Sequence, residues 1–324
     1  MKPLNLKSTR VNLLDAVLDA AGSVILGKER ELRLALTCLL ARGHLLIEDL
    51  PGVGKTTLAH LLARLLGLQF SRIQFTSDLL PADVVGVSVY ERGTESFRFH
   101  PGPLFSQVVL ADEINRATPQ AQSALLEAME ERQVTVDGTT YPLPEPFFVI
   151  ATQNPAYQVG TFPLPESQLD RFLLRLTIGY PDPDEERQVL RAYDHPGGGH
   201  AEAEKAVEAL PEGLVDEARA QAAQVVVSDA VYSYVVAIAA ASRSHSAVSL
   251  GLSTRGALAL MRCARVEAAL RSSDYVTPDH VKAVTRAVVA HRLILTPEAM
   301  LEGMDGDSLT DVILGQVPVP RDSA

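Results

Sequence analysis

Leu50-Pro51-Gly52-Val53-Gly54-Lys55-Thr56-Thr57 sets two glycines, a lysine and two hydroxyls between an apolar run and a segment of helical period. That combination suits a phosphate. Glycines let the backbone curl so that successive N–H groups point at phosphate oxygens, and the helix N-terminus that follows adds partial positive charge. Lys55 would reach the β and γ phosphates of ATP, and Thr56 would set its hydroxyl on Mg2+. Pro51, Gly52, Val53, Gly54 and Thr57 complete the cradle. The match to GxxxxGK[ST] is incomplete, because Asp49 stands where the first glycine belongs. An ordinary strand–turn–helix with an exposed lysine is the competing reading, so a second element is needed.

Val108-Val109-Leu110-Ala111-Asp112-Glu113 is that second element: an apolar run ending in two acids. Asp112 is placed to hold Mg2+ and Glu113 to polarise an attacking water. A strand ending in solvated carboxylates is common by itself, but its pairing with the glycine loop points to phosphoryl transfer.

Such residues need a parallel sheet behind them. Short apolar runs at 44–48, 69–75, 107–111, 147–152 and 173–178 alternate with helical segments, the pattern of buried parallel strands in an α/β layer. A helix is expected over 55–66 and another from Thr118, with Thr118 as N-cap and Pro119 at its first position. Two stretches interrupt the alternation, 87–99 around Arg92-Gly93 and 133–147 around Asp137-Gly138, and both read as hairpins inserted on the core. The texture changes after Tyr180. Pro181-Asp182-Pro183-Asp184 breaks the chain and can cap a helix, and 195–200 is a glycine-rich punctuation. Helical periods follow at 229–241, 254–271 and 278–290. The division expected is an α/β core over 1–181 and a helical domain over 182–324.

Composition narrows the partners. The chain has 324 residues, 47% hydrophobic and 21% charged, and a net charge of −11, which excludes wholesale disorder and makes binding of polyanions through the average field unfavourable. Nucleic acid is disfavoured, although a local basic pore stays open. Cys38 and Cys263 form no CxxC, so a reduced, cytoplasmic setting fits better than a disulfide framework. No apolar run reaches the length of a membrane span. The eight histidines make no zinc pattern.

Ala111-Asp112-Glu113-Ile114-Asn115-Arg116-Ala117, the run 125–131 (LLEAMEE), Ala151-Thr152-Gln153-Asn154-Pro155 and the run 160–172 (GTFPLPESQLDRF) together resemble the MoxR family of AAA+ ATPases. The resemblance extends from about residue 25 through the C-terminal helices, and Asp49 ahead of Pro51 resembles that family's usual phosphate loop. It implies an AAA+ P-loop core with a C-terminal all-helical lid. It also implies that Asn154 is the sensor 1 residue, hydrogen-bonded to the γ-phosphate or the attacking water. Arg171 matches the arginine finger, donated to a neighbouring subunit, and Arg255 matches sensor 2 at the start of a lid helix. Arg116 is a weaker candidate for a contact across the subunit boundary, with packing or a surface pair as the alternative.

By the same resemblance, the two hairpins face the pore of a ring and touch a client. The function implied is ATP hydrolysis at the subunit interfaces of a homo-oligomeric ring, expected to be a hexamer. ATP is expected between core and lid, with Ile25-Leu26-Gly27 near the adenine. The work implied is chaperone-like remodelling of a client protein, complex maturation or metal insertion, with a partner carrying a von Willebrand factor A domain. Competing readings are a chelatase-like motor subunit and an ATP-switched scaffold with little turnover. Glu113, Asn154 and Arg171 together argue against a pure switch.

Overall fold

The computed structural model describes residues 13–21, 24–25, 27–93, 95–154, 161–194 and 207–320. Helices α1 (Leu13–Ala21) and α2 (Glu29–Leu40) lead into β1 (Leu45–Glu48), α3 (Lys55–Leu65), β2 (Phe70–Gln74) and α4 (Pro81–Val85). The hairpin β3 (Gly86–Glu91)–β4 (Ser96–Pro101) precedes β5 (Val108–Asp112) and α5 (Pro119–Glu131). A second hairpin, β6 (Gln133–Val136)–β7 (Thr139–Pro142), precedes β8 (Phe148–Gln153), α6 (Glu166–Leu169) and β9 (Leu174–Leu176).

The five expected strands form one sheet in the order β2-β5-β8-β1-β9, with parallel pairing at every step. Side chains alternate between its faces. Leu45, Ile47, Val108, Leu110, Phe148 and Ile150 enter one apolar cluster with α1, α2 and α3. Leu46, Val109, Ala111, Val149 and Ala151 enter the other, with α4 and α5. Both faces are dry, which is why these strands read as unbroken apolar runs.

The second hairpin has the turn chemistry expected of it. Asp137 (φ 49°) and Gly138 (φ 77°) both adopt the left-handed backbone that a two-residue β-turn of this twist demands. Tyr141 stacks on Phe99 with ring centroids 4.2 Å apart, tying the second hairpin to the first. The short helix α4, which helps set the first hairpin on the core, had no clear period in the sequence. Thr118 does stand at the N-cap of α5 with Pro119 next, but its side chain makes no capping hydrogen bond.

Beyond Tyr180, the Asp182 carboxylate caps α7 (Pro183–Tyr193), accepting from the N–H groups of Asp184 at 2.9 Å and Glu185 at 2.8 Å. Next come α8 (Leu214–Gln224), α9 (Asp229–Ser244), α10 (Thr254–Leu270), α11 (Pro278–Val289), α12 (Pro297–Leu301) and α13 (Gly306–Gln316). A small antiparallel ribbon of β10 (Val248–Leu250) and β11 (Ile294–Leu295) interrupts the helices. The expected punctuation at 195–200 lies outside the described residues.

The helical region packs directly on the core. Residues of α8 to α11 and α13 share the apolar cluster of α1 to α3. Arg292 pins the contact. Its buried guanidinium donates to the Asp170 carboxylate at 2.7 Å, to the Phe172 carbonyl at 2.6 Å and to the Leu173 carbonyl at 3.1 Å. Cys38 and Cys263 are free and buried in this cluster, where burial pushes the Cys263 thiol up to about 12 and Cys38 well above its ordinary value. Among the described residues no helix is long and apolar enough to cross a membrane.

Candidate active site

The phosphate loop leaves the carboxyl end of β1 and feeds α3. Gly52 (φ 86°) and Gly54 (φ 90°) occupy left-handed backbone, and apart from their own local backbone and chain neighbours no atom lies within 4 Å of where a Cβ would stand on either. An L side chain there would be strained and would fill the concave space that a phosphate needs. Lys55 opens α3 and is only 8% exposed. Its ammonium donates to the Asp49 carbonyl at 2.6 Å and to Asn154 Oδ1 at 3.2 Å. Burial lowers its pKa, against the raising pull of the Asp49, Asp112 and Glu113 carboxylates. Thr56, Pro51 and Gly52 are exposed, Thr57 half-buried and Val53 buried.

Asp49, at the place of the missing glycine, is buried and structural. Its Oδ2 accepts the N–H groups of Ile178 and Gly179, each at 2.7 Å, and its Oδ1 accepts that of Leu50 at 2.8 Å. The entry to the phosphate loop is thereby tied to the segment that leaves β9 toward α7. Lys28 holds the same segment from its carbonyl side, donating to Ile178 at 2.9 Å and Tyr180 at 3.2 Å.

β5 delivers Asp112 and Glu113 beside this loop. Thr152 on β8 donates to Asp112 Oδ1 at 2.6 Å and accepts the Glu113 N–H at 2.8 Å. Arg72 on β2 donates to Asp112 Oδ2 at 2.6 Å. Glu113 itself has a left-handed backbone, φ 56° and ψ 48°, which is uncommon for a residue with a side chain and is concentrated at functional sites. That turn separates the directions of two adjacent carboxylates. Glu113 Oε1 accepts from Asn154 Nδ2 at 3.0 Å, while Oε2 accepts from Gln74 at 3.0 Å and Arg116 at 2.9 Å. Asn154 thus receives from Lys55 and gives to Glu113, and its own carbonyl accepts from Asn115 at 3.2 Å.

The structure therefore brings Lys55, Asp112, Glu113 and Asn154 around one loop. Next to it runs a cleft lined by Val24, Ile25, Lys28, Val53, Thr57, Leu58, Ile178 and Pro181. Of the expected adenine segment, Ile25 lines this cleft, and Leu26 lies outside the described residues. Gly27 faces α7, where a Cβ would collide with the Glu185 carboxylate.

Arg171 and Arg255 sit elsewhere, together. Arg171 Nε lies 3.3 Å from Glu130 Oε2, and Arg255 Nη1 lies 3.4 Å from Glu130 Oε1. Arg255 Nε also lies 3.8 Å from Asp170. One half-exposed carboxylate serves both guanidiniums, and neither arginine is among the residues lining the cleft. Arg255, expected as sensor 2 at the start of a lid helix, does stand in the first turn of α10, and the docking of that helix sets its guanidinium beside Asp170 and Glu130.

Arg72, Gln74 and Thr152 escaped the sequence reading. Arg72 and Gln74 share one face at the end of an edge strand, a two-residue spacing that marks a polar pair but not its target. Only the β2–β5 pairing, with Gln74 beside Asp112, shows what they touch. Among the described residues no group of three or more His, Cys, Asp and Glu converges as a metal site.

The sequence model of the ATPase family associated with various cellular activities (AAA) matches residues 44–174, and that of the AAA lid domain matches 240–312. The chain is 46% identical to the uncharacterized protein YeaC of Bacillus subtilis, over 95% of each chain. It is 38% identical to the chaperone MoxR1 of Mycobacterium tuberculosis, over 98% of this chain and 85% of that one. A crystal structure of a candidate ATPase from Cytophaga hutchinsonii superposes with a TM-score of 0.87 at 37% identity, covering 96% of both chains.

Proposed function

The chain belongs to the MoxR family of AAA+ ATPases, and from that premise we propose that it hydrolyses ATP with Mg2+ at the subunit boundaries of a homo-oligomeric ring, a hexamer, to remodel a client protein. The core over 1–181 supplies the chemistry and the helical domain over 182–324 completes the nucleotide cleft. The chaperone name of the mycobacterial relative supports the remodelling role. A von Willebrand factor A domain partner and a cytoplasmic setting belong to this reading, and nucleic acid does not.

The observation that carries it is the chain of contacts Lys55–Asn154–Glu113 beside two left-handed glycines that leave room for phosphate. The backbone of 52–55 and the N-terminus of α3 receive the phosphates. Lys55 trades the Asp49 carbonyl for phosphate oxygens. Asp112 and the Thr56 hydroxyl are the oxygen donors suited to Mg2+, which when bound neutralises charge on the β and γ phosphates. Glu113 takes a proton from the attacking water and Asn154 orients it. Glu113 accepts from three donors in this structure, two on Oε2 and one on Oε1, which leaves Oε1 a lone pair for that proton. Arg171 and Arg255, sharing Glu130 away from the cleft, are read as the pair offered to a neighbour's nucleotide, where permanent planar cations suit developing phosphoryl charge.

The test is ATP binding and turnover in two variants. Lys55→Ala should lose tight ATP binding. Glu113→Gln should keep it and lose turnover by a factor on the order of 10² or more, because the amide preserves shape but cannot accept the proton. ATP affinity in Lys55→Ala equal to wild type, or turnover of Glu113→Gln within about twofold of it, overturns the assignment. Wild-type protein that binds ATP without hydrolysing it, alone or with client, would identify a switched scaffold instead.

A further inference from the structure

An acidic chain carries a dense arginine cluster at the amino ends of its strands, the end of the sheet away from the phosphate loop. Arg42 follows α2 and Arg132 caps the C-terminus of α5. Arg219 projects from α8, and Arg262 and Arg265 from α10. Four of the five, Arg42, Arg219, Arg262 and Arg265, line one groove between α8 and α10. Acids near them are few. Glu145 lies 3.1 Å from Arg42 and 3.6 Å from Arg219, and the well-exposed Asp216 lies 4.0 Å from Arg219.

Three donor atoms on two arginines of the groove lack hydrogen-bond partners although buried. The Arg219 side chain is 10% exposed, and its Nη2 donates to the Leu39 carbonyl at 3.1 Å, but Nε and Nη1 make no hydrogen bond. Arg265 Nε is in the same condition. Burial, then the nearby Arg42 charge, lowers the pKa of Arg219, against the raising pull of the Glu145 and Asp216 carboxylates. Buried N–H groups are almost always paired, and an orphaned guanidinium donor costs free energy until an acceptor arrives.

The walls indicate what kind of anion arrives. Leu258, Met261, Arg262 and Arg265 recur at three- and four-residue steps along α10, opposite Arg219, Ala220 and Ala223 on α8. Leu258 is 62% exposed despite lying in the groove. An inorganic anion would satisfy the arginines and leave these apolar walls wet. A nucleic acid would meet a net charge of −11 beyond the patch. A helix with apolar residues on one stripe and carboxylates beside it satisfies both, since Arg pairs bidentately with carboxylate and an amphipathic helix fills a two-helix groove.

We propose that the α8–α10 groove binds an acidic amphipathic helix of a partner protein, its apolar stripe against Leu258 and Met261 and its carboxylates on Arg219, Arg262 and Arg265. This site is separate from the nucleotide cleft and does not depend on the catalytic reading.

The experiment uses the full chain and a fluorescein-labelled synthetic helix with leucine on one stripe and glutamate flanking it, followed by anisotropy. Binding should weaken with added salt, and a peptide with every glutamate changed to glutamine should bind at least about tenfold more weakly. Arg262→Glu, at an exposed position that keeps the fold, and Leu258→Asp should each cost at least about tenfold. Arg187→Glu on α7, outside the groove, should cost nothing. Equal binding of the glutamate and glutamine peptides, or no loss in Arg262→Glu, overturns the proposal. So does full displacement of the peptide by inorganic phosphate at concentrations that leave its ionic strength effect negligible, which would mark a simple anion site. A change of oligomeric state in Arg262→Glu without peptide binding by wild type would assign the groove to a second copy of the chain.

Discussion

Replacing Asp49 by alanine removes the acceptor for three backbone N–H groups at once. Two of them, from Ile178 and Gly179, converge on Oδ2 at 2.7 Å, and Ile178 is buried. The third belongs to Leu50, which is exposed and can turn to water. A buried donor left without an acceptor costs about 1–3 kcal/mol, and water reaching the half-buried Gly179 offsets part of one, so the expected loss is roughly 2–4 kcal/mol. For a chain of 324 residues that is a fall in Tm of roughly 3–6 °C. Asp49→Asn can keep its amide oxygen on both converging N–H groups and should lose about 1 kcal/mol. Asp49→Gly is the decisive variant, because it completes the GxxxxGK[ST] pattern. If Asp49 were only a degenerate glycine, Asp49→Gly would be neutral or stabilising. If its carboxylate ties the phosphate loop to the exit of β9, Asp49→Gly should fall at least as far as Asp49→Ala. Thermal unfolding of the three variants, with and without ATP, measures this. An Asp49→Ala variant within about 0.5 kcal/mol of wild type would refute the account.

Three further outcomes are expected. Arg171→Ala and Glu113→Gln should each be nearly inactive, yet mixing them should restore a fraction of turnover, at interfaces that pair an intact Glu113 with an intact Arg171; shared rings without recovered activity would place Arg171 in its own subunit or require concerted firing, and dilution of either variant with wild type separates the two. Arg255→Ala, whose side chain shares Glu130 with Arg171, should complement Glu113→Gln in the same way, and failure where Arg171→Ala succeeds would return Arg255 to its own subunit's nucleotide. His44 is buried with Nε2 on the Met129 carbonyl and Nδ1 accepting the Val149 N–H, and burial lowers its pKa from 6.5 to about 3. The unfolded chain therefore binds a proton that the folded chain refuses, so stability falls as pH drops from 6.5 toward 3, by up to ~1.4 kcal/mol per unit from this group. Chemical denaturation across that range should show a shallower acid slope in His44→Gln, and identical slopes would contradict the assignment.

The parallel core was legible because its signals are local. A strand dry on both faces must be apolar throughout, a phosphate loop needs glycine where φ is positive, and Asp137-Gly138 can hardly be anything but a tight hairpin turn. The acids closing β5 were legible for the same reason, since a strand's end is marked by where its apolar run stops. Asn154, Arg171 and Arg255 were named only through the family's motifs, because a single asparagine or arginine carries no period. Residues joined across the sheet were beyond reach. Arg72 on Asp112, Gln74 on Glu113 and Asp49 on Ile178 are separated by 40, 39 and 129 positions. Their encounters follow from strand order and from how the chain turns after β9, and neither is written in any one segment. The same holds for the arginine groove, assembled from α2, α8 and α10, and for the shared hold of Arg171 and Arg255 on Glu130. The sequence by itself determined which elements form and which residues could carry phosphate chemistry, because backbone conformation and burial period are properties of neighbouring residues. Only the tertiary structure decided which carboxylate meets which cation, because charge pairing depends on distances that close when the sheet is assembled and the helical region docks on it.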